Sequence, residues 1–80
     1  MTLRPVTSEK AVKMLDVDNT LIFETERRAT KDDVKKEVES IFSVKVDKVR
    51  TSTKGNKKYA FVRLNKSNLA ADIATKLGMI

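Results

Sequence analysis

The sequence predicts an α+β domain: a small antiparallel or mixed β-sheet packed with about three α-helices, forming a single domain over residues 1–80. Three observations carry this. Eighty residues supply one core and no second one. Three stretches repeat apolar residues at helical spacing, and others alternate with period two. The longest alternating region, 45–66, folds back on itself around the polar turn Thr53-Lys54-Gly55-Asn56-Lys57.

Thr2 to Val6 holds the only proline, Pro5, which has no N–H and biases Arg4 toward extended geometry, so an extended lead-in or a short edge strand is expected. Ser8 to about Leu15 then places Ala11, Val12 and Leu15 on one helical face, with Thr7 or Ser8 as N-cap and Glu9 in the positive first turn. Asp16 to Asn19 reads as a polar break. Thr20 to Glu26 alternates Leu21, Phe23 and Thr25 with Ile22, Glu24 and Glu26, the pattern of a strand with one strongly apolar face.

The strongest helix signal follows. Thr30 is the N-cap candidate and Asp33 completes a capping-box variant, while Val34, Val38, Ile41 and Phe42 form the stripe expected to pack on the sheet. Val44, Val46 and Val49 are unevenly spaced, so a bulge or a late strand start is needed to keep them buried. In the turn, Gly55 and Asn56 both tolerate positive φ. Tyr59 to Leu64 alternates Ala60, Val62 and Leu64 with Tyr59, Phe61 and Arg63. Ser67 or Asn68 then caps a helix that turns Leu69, Ala70, Ile73, Ala74 and Leu77 inward and stops at Gly78.

The composition narrows the chemistry. Cysteine and histidine are absent, which removes disulfides, thiolate zinc sites and the usual neutral-pH proton shuttle. No apolar run approaches the roughly 20 residues of a membrane span, so a soluble protein without membrane insertion is expected, and the lack of cysteine is compatible with a reducing cytosol. The paired carboxylates Glu24/Glu26 and Asp32/Asp33 read as a solvated strand face and as charge favouring a helix start. No Gly-rich phosphate loop, nucleophile motif or metal-ligand spacing occurs, and neither catalysis, a metal nor a cofactor is expected.

Charge is the positive signal. The chain carries 17 Lys and Arg against 11 Asp and Glu, for a net charge of +6 and a pI near 9.8. Residues 45–66 alone hold eight Lys and Arg against one acid, Asp47, so the remainder is close to neutral. Lys54, Lys57 and Lys58 cluster at the turn, with Thr51, Ser52 and Thr53 as hydroxyl donors, an arrangement suited to phosphate oxygens. The competing reading is a lysine-rich turn that discourages edge pairing. A second group, Arg27, Arg28 and Lys31, flanks the strongest helix start, where free N–H groups favour anions; pairing with Glu24, Glu26, Asp32 and Asp33 competes. Arg4, Lys10 and Lys13 form a third. Tyr59 and Phe61 could stack on unpaired bases, although core packing is the favoured expectation. Lysine outnumbers arginine, which suits backbone and shape recognition better than base reading.

Several segments, taken in order, resemble one family. They are the runs from Pro5 to Ala11 (PVTSEKA), Asn19 to Phe23 (NTLIF), Ala29 to Val46 (ATKDDVKKEVESIFSVKV), Val49 to Thr51 (VRT) and Lys57 to Leu64 (KKYAFVRL). The set is similar to the large-subunit ribosomal protein family called L twenty-three. The resemblance implies a small α+β domain bound to large-subunit rRNA beside the exit of the nascent-chain tunnel. It also implies neighbouring ribosomal proteins there, and a docking platform for the signal recognition particle and chaperones. Lys31 in the Ala-Thr-Lys motif and the basic hairpin then face rRNA, and Glu9 in the Ser-Glu-Lys motif lies on the face used by docking factors. The hairpin is too short to reach into the tunnel wall as the bacterial form does, and the compact chain resembles archaeal members. Tyr59 stands where many members carry a second basic residue.

The residues expected to contact rRNA are Arg4, Arg27, Arg28, Lys31, Lys35, Arg50, Thr51, Lys54, Lys57 and Lys58, with Glu9 as the protein-docking residue. The alternative is a basic protein-interaction module that engages an acidic protein partner through the same hairpin.

Overall fold

The computed structural model describes residues 3–76. Strand β1 (Arg4–Pro5) leads to helix α1 (Glu9–Asp18), strand β2 (Thr20–Thr25) and helix α2 (Lys31–Phe42), followed by the hairpin β3 (Val46–Lys54) and β4 (Lys57–Leu64) and by helix α3 (Ala70–Lys76). The sheet is antiparallel throughout, in the order β1-β2-β4-β3. This resolves the expectation of an antiparallel or mixed sheet and places Pro5 on an edge strand, where its missing N–H is harmless.

One face of the sheet carries Leu21 and Phe23 of β2, Ala60, Val62 and Leu64 of β4, and Val46 and Val49 of β3. All three helices cover this face. Leu15 of α1, Val34 and Val38 of α2, and Ala70, Ile73 and Ala74 of α3 complete one buried cluster, and Phe23 stacks on Phe42 with ring centroids 6.4 Å apart. Each large apolar side chain removed from water in this way contributes about 1.5–3 kcal/mol.

Val46 and Val49 reach the same face through a register shift: Val46 pairs with Leu64, Lys48 with Arg63 and Val49 with Val62, leaving Asp47 as the extra residue. The uneven valine spacing is therefore a β-bulge, one of the two expected solutions. At the hairpin tip only Gly55 takes a positive φ, 60°. Asn56 does not use the freedom it has, and positive φ at the first central position alone is the II′ pattern.

The helix starts follow their caps. Ser8 caps α1, its hydroxyl accepting from the Ala11 N–H at 3.2 Å. At α2 the Asp33 N–H donates to Thr30 Oγ1 and the Thr30 N–H donates to the Asp33 carboxylate, both at 3.1 Å.

Four expectations need correction. Helix α1 does not end near Leu15 but continues to Asp18, through a turn whose Val17 is 74% exposed, and stops where Asn19 turns left-handed at φ 53°. Ile41 is 56% exposed, because Val34, Val38 and Phe42, four residues apart, take the inward stripe. Leu69 precedes α3 and is 59% exposed. Finally, neither Ser67 nor Asn68 caps α3 with its side chain. The Ala70 N–H donates 2.7 Å to Oδ1 of Asn19, a residue distant in sequence, while Asn68 Oδ1 accepts from the Lys45 N–H. Leu77 and Gly78 lie outside the described residues.

Asn19 is the junction of the fold. Its Nδ2 donates to the carbonyls of Asn68 at 2.8 Å, Leu64 at 3.3 Å and Asn65 at 3.4 Å, and its own carbonyl accepts from the Leu64 N–H at 3.1 Å. One side chain thus joins the end of α1, the end of β4 and the start of α3.

Candidate nucleic-acid interface

The opposite face of the sheet carries no helix. Antiparallel register places Thr20, Ile22 and Glu24 of β2 beside Tyr59, Phe61 and Arg63 of β4, and Lys48, Arg50 and Ser52 of β3 on the far side of β4. Lys54 faces Lys57 at the hairpin end, and Arg4 faces Glu24 at the other edge. Among its strand residues this face therefore holds six cations, Arg4, Lys48, Arg50, Lys54, Lys57 and Arg63, and a single acid, Glu24. The acid lies 3.8 Å from Lys57, the one ion pair among the described residues.

Tyr59 and Phe61 stand in the middle of this charge, half-buried and absent from the core cluster, which corrects the expectation that they pack in the core. Phe61 pairs across the strands with Ile22, which is buried although it lies outside the core cluster. The Arg50 guanidinium sits 5.9 Å from the Phe61 ring centroid, near the outer limit of a cation–π contact and worth about 0.5–1 kcal/mol at an exposed site. A shallow groove of about 190 Å³ opens at this position, lined by Asp18, Thr20, Lys48, Arg50, Phe61 and Arg63.

The ten residues expected to contact rRNA divide among three places. Arg4, Arg50, Lys54 and Lys57 lie on the open face. Thr51 and Lys58 pair with Ala60 and Thr53 on the helix-covered side. Lys58 turns away from the other tip lysines, and its Nζ donates 2.6 Å to the Ala29 carbonyl. Arg27 and Arg28 occupy the turn before α2, with Lys31 and Lys35 on its first turns, all exposed. None of these four pairs with Glu24, Glu26, Asp32 or Asp33 within 4 Å, so the competing ion-pair reading finds no contact here. Because Lys58 ties β4 to Ala29, this second basic group sits beside the hairpin end of the sheet.

The two basic groups differ as anion sites. At α2 the Asp32 and Asp33 carboxylates already occupy the positive helix start. The Thr30 backbone N–H holds the Asp33 carboxyl below its ordinary value of 3.8, assisted by the Thr30 side chain and by nearby Lys36. Those negative charges oppose a phosphate there, whereas the strands of the open face offer six cations with one acid among them. Lys48 and Arg63 complete that face and are missing from the expected set, although strand parity signals them: Lys48 is in phase with Arg50, and Arg63 with Phe61. Glu9 is exposed at the first position of α1, within the helical layer on the other side of the sheet.

Comparison with known families meets this geometry. The family model described as Ribosomal protein L23 matches residues 1–74, a span that includes all four strands of the sheet. A match of that extent shows membership, and the chain belongs to the Ribosomal protein L23 family of large-subunit ribosomal proteins.

Proposed function

We propose that the open face of the sheet is the surface by which this chain binds large-subunit rRNA beside the exit of the nascent-chain tunnel, as a structural, non-catalytic component of cytoplasmic ribosomes. The observation that carries this reading is that the strand residues of the one sheet face without helices include six cations, one acid and two half-exposed aromatics. The basic turn at Arg27 and Arg28, with Lys31 and Lys35, sits beside the hairpin end and is a secondary contact in this reading, since Asp32 and Asp33 share its helix start. Lys58 serves the fold in this reading, by holding that turn against β4. The helical layer, with Glu9 exposed, then remains available to neighbouring ribosomal proteins and, transiently, to the signal recognition particle and chaperones.

Counterion release supplies most of the affinity of such a surface, and log K falls by about 0.7 to 0.9 per phosphate contact for each log unit of salt. Binding of an rRNA fragment measured across salt, for wild type and for Lys48→Ala/Arg50→Ala/Lys54→Ala, tests the assignment. These three side chains belong to one strand face, and their removal lowers the slope by about 2 to 3. An unchanged slope rejects the open face as the rRNA surface. An acidic protein partner on the same cations, the competing reading, predicts sedimentation with large particles that survives nuclease treatment of a lysate.

A further inference from the structure

The groove around Phe61 carries chemistry that gripping phosphates does not require. Three cations, Lys48, Arg50 and Arg63, share it with a carboxylate, Asp18, and with one half-buried aromatic ring. None of the three cations lies within 4 Å of the Asp18 carboxylate. Asp18 is exposed at the end of α1, and its backbone carbonyl accepts the Thr20 hydroxyl at 3.1 Å, so the turn that presents it is held in place. A carboxylate repels phosphate and accepts hydrogen bonds only from N–H or O–H donors. The groove thus combines an apolar ring, a cationic rim and one acceptor, which together complement a flat base, its phosphate and a base edge bearing donors.

We infer that this groove holds one unpaired nucleobase of the bound RNA, guanine by preference, stacked on Phe61 with its Watson–Crick edge toward Asp18 and its phosphate among Lys48, Arg50 and Arg63. Guanine presents two adjacent donors, N1–H and the N2 amino group, to the two oxygens of one carboxylate. Adenine and cytosine place an acceptor nitrogen beside their amino group, and uracil flanks its single N–H with carbonyls. The inference rests on the open face being the RNA surface, yet it is a separate claim, since electrostatic attachment needs no base.

The test uses the full chain and three fluorescein-labelled oligonucleotides of equal charge. Each is a short abasic backbone carrying guanine, adenine or no base at its centre, and affinity is read by fluorescence anisotropy at two salt concentrations. The guanine ligand binds about tenfold more tightly than the base-free one, as expected for one base stacked on an aromatic side chain. Phe61→Leu, which keeps every charge, removes that difference, and Asp18→Asn removes the preference of guanine over adenine. Equal binding of guanine and base-free ligands to the wild-type chain, with salt-dependent affinity intact, overturns the base site and leaves the phosphate-binding reading standing. Absence of salt-dependent binding to all three overturns both. The guanine and base-free comparison needs only the unaltered chain, so it decides the matter even if Phe61→Leu does not fold.

Discussion

Replacing Asn19 by alanine is the most demanding test of how this domain holds together. The substitution removes two short hydrogen bonds, Nδ2 to the Asn68 carbonyl at 2.8 Å and the Ala70 N–H to Oδ1 at 2.7 Å, together with two longer ones to the carbonyls of Leu64 and Asn65. Each short bond contributes about 1 kcal/mol net, and groups left unpaired in a partly buried setting add to the loss. Alanine must also adopt the left-handed φ of 53° that Asn19 tolerates, at about 1 kcal/mol. The expected loss is therefore about 3 kcal/mol. In a domain of this size that corresponds to a fall of about 12 °C or more in Tm. Urea and thermal unfolding followed by far-UV circular dichroism measure it. Asn19→Gly separates the two causes, since glycine accepts the backbone angle and lacks only the side chain; its loss is about 2 kcal/mol. A loss below about 1 kcal/mol for Asn19→Ala, or a glycine variant less stable than the alanine one, refutes the junction role.

Two further outcomes follow from particular side chains. Because the folded-state pKa of Asp33 is lowered from 3.8, its contribution to stability is present above that value and is lost as pH falls through the lower, folded value. Thermal midpoints between pH 6 and pH 2 accordingly drop less steeply for Asp33→Asn than for wild type, and parallel profiles would contradict the capping account. Glu9, exposed at the start of α1, is the proposed contact for docking factors. Ribosomes carrying Glu9→Ala bind the signal recognition particle and chaperones more weakly, and unchanged affinity in a co-sedimentation titration removes Glu9 from that role.

What could be read in advance follows the range of the interactions involved. The capping box at Thr30 and Asp33 spans three residues, and Gly55 needs only its own backbone, so both were visible in the sequence. The bulge was foreseeable from valine spacing because a buried face enforces period two. The end of α1 and the start of α3 were not, because both meet at Asn19, whose partners lie 45 to 51 positions away. Polarity at Asp16 to Asn19 suggested an early break, whereas the helix tolerates that polarity until a left-handed residue stops it. At the site, charge density correctly drew attention to the hairpin but did not say which way each lysine points. Lys58 differs from Lys57 by one position and faces the other side of the sheet.

The extra residue at Asp47 decides more than local twist. Strict alternation from the inward-facing Val46 would turn Lys48, Arg50 and Lys54 toward the helices and Val49 outward; the bulge advances the phase by one and sends all three cations the opposite way. Asn65 Nδ2 donates 3.0 Å to the Asp47 carboxylate and fastens the extra residue outside the ladder. The side on which three of the six open-face cations stand is thus governed by strand phase and not by composition. Deleting Asp47 would restore strict alternation with Val46 and Val49 inward and the three cations still outward, whereas drawing Asp47 into the ladder would keep every lysine and turn those cations toward the helices.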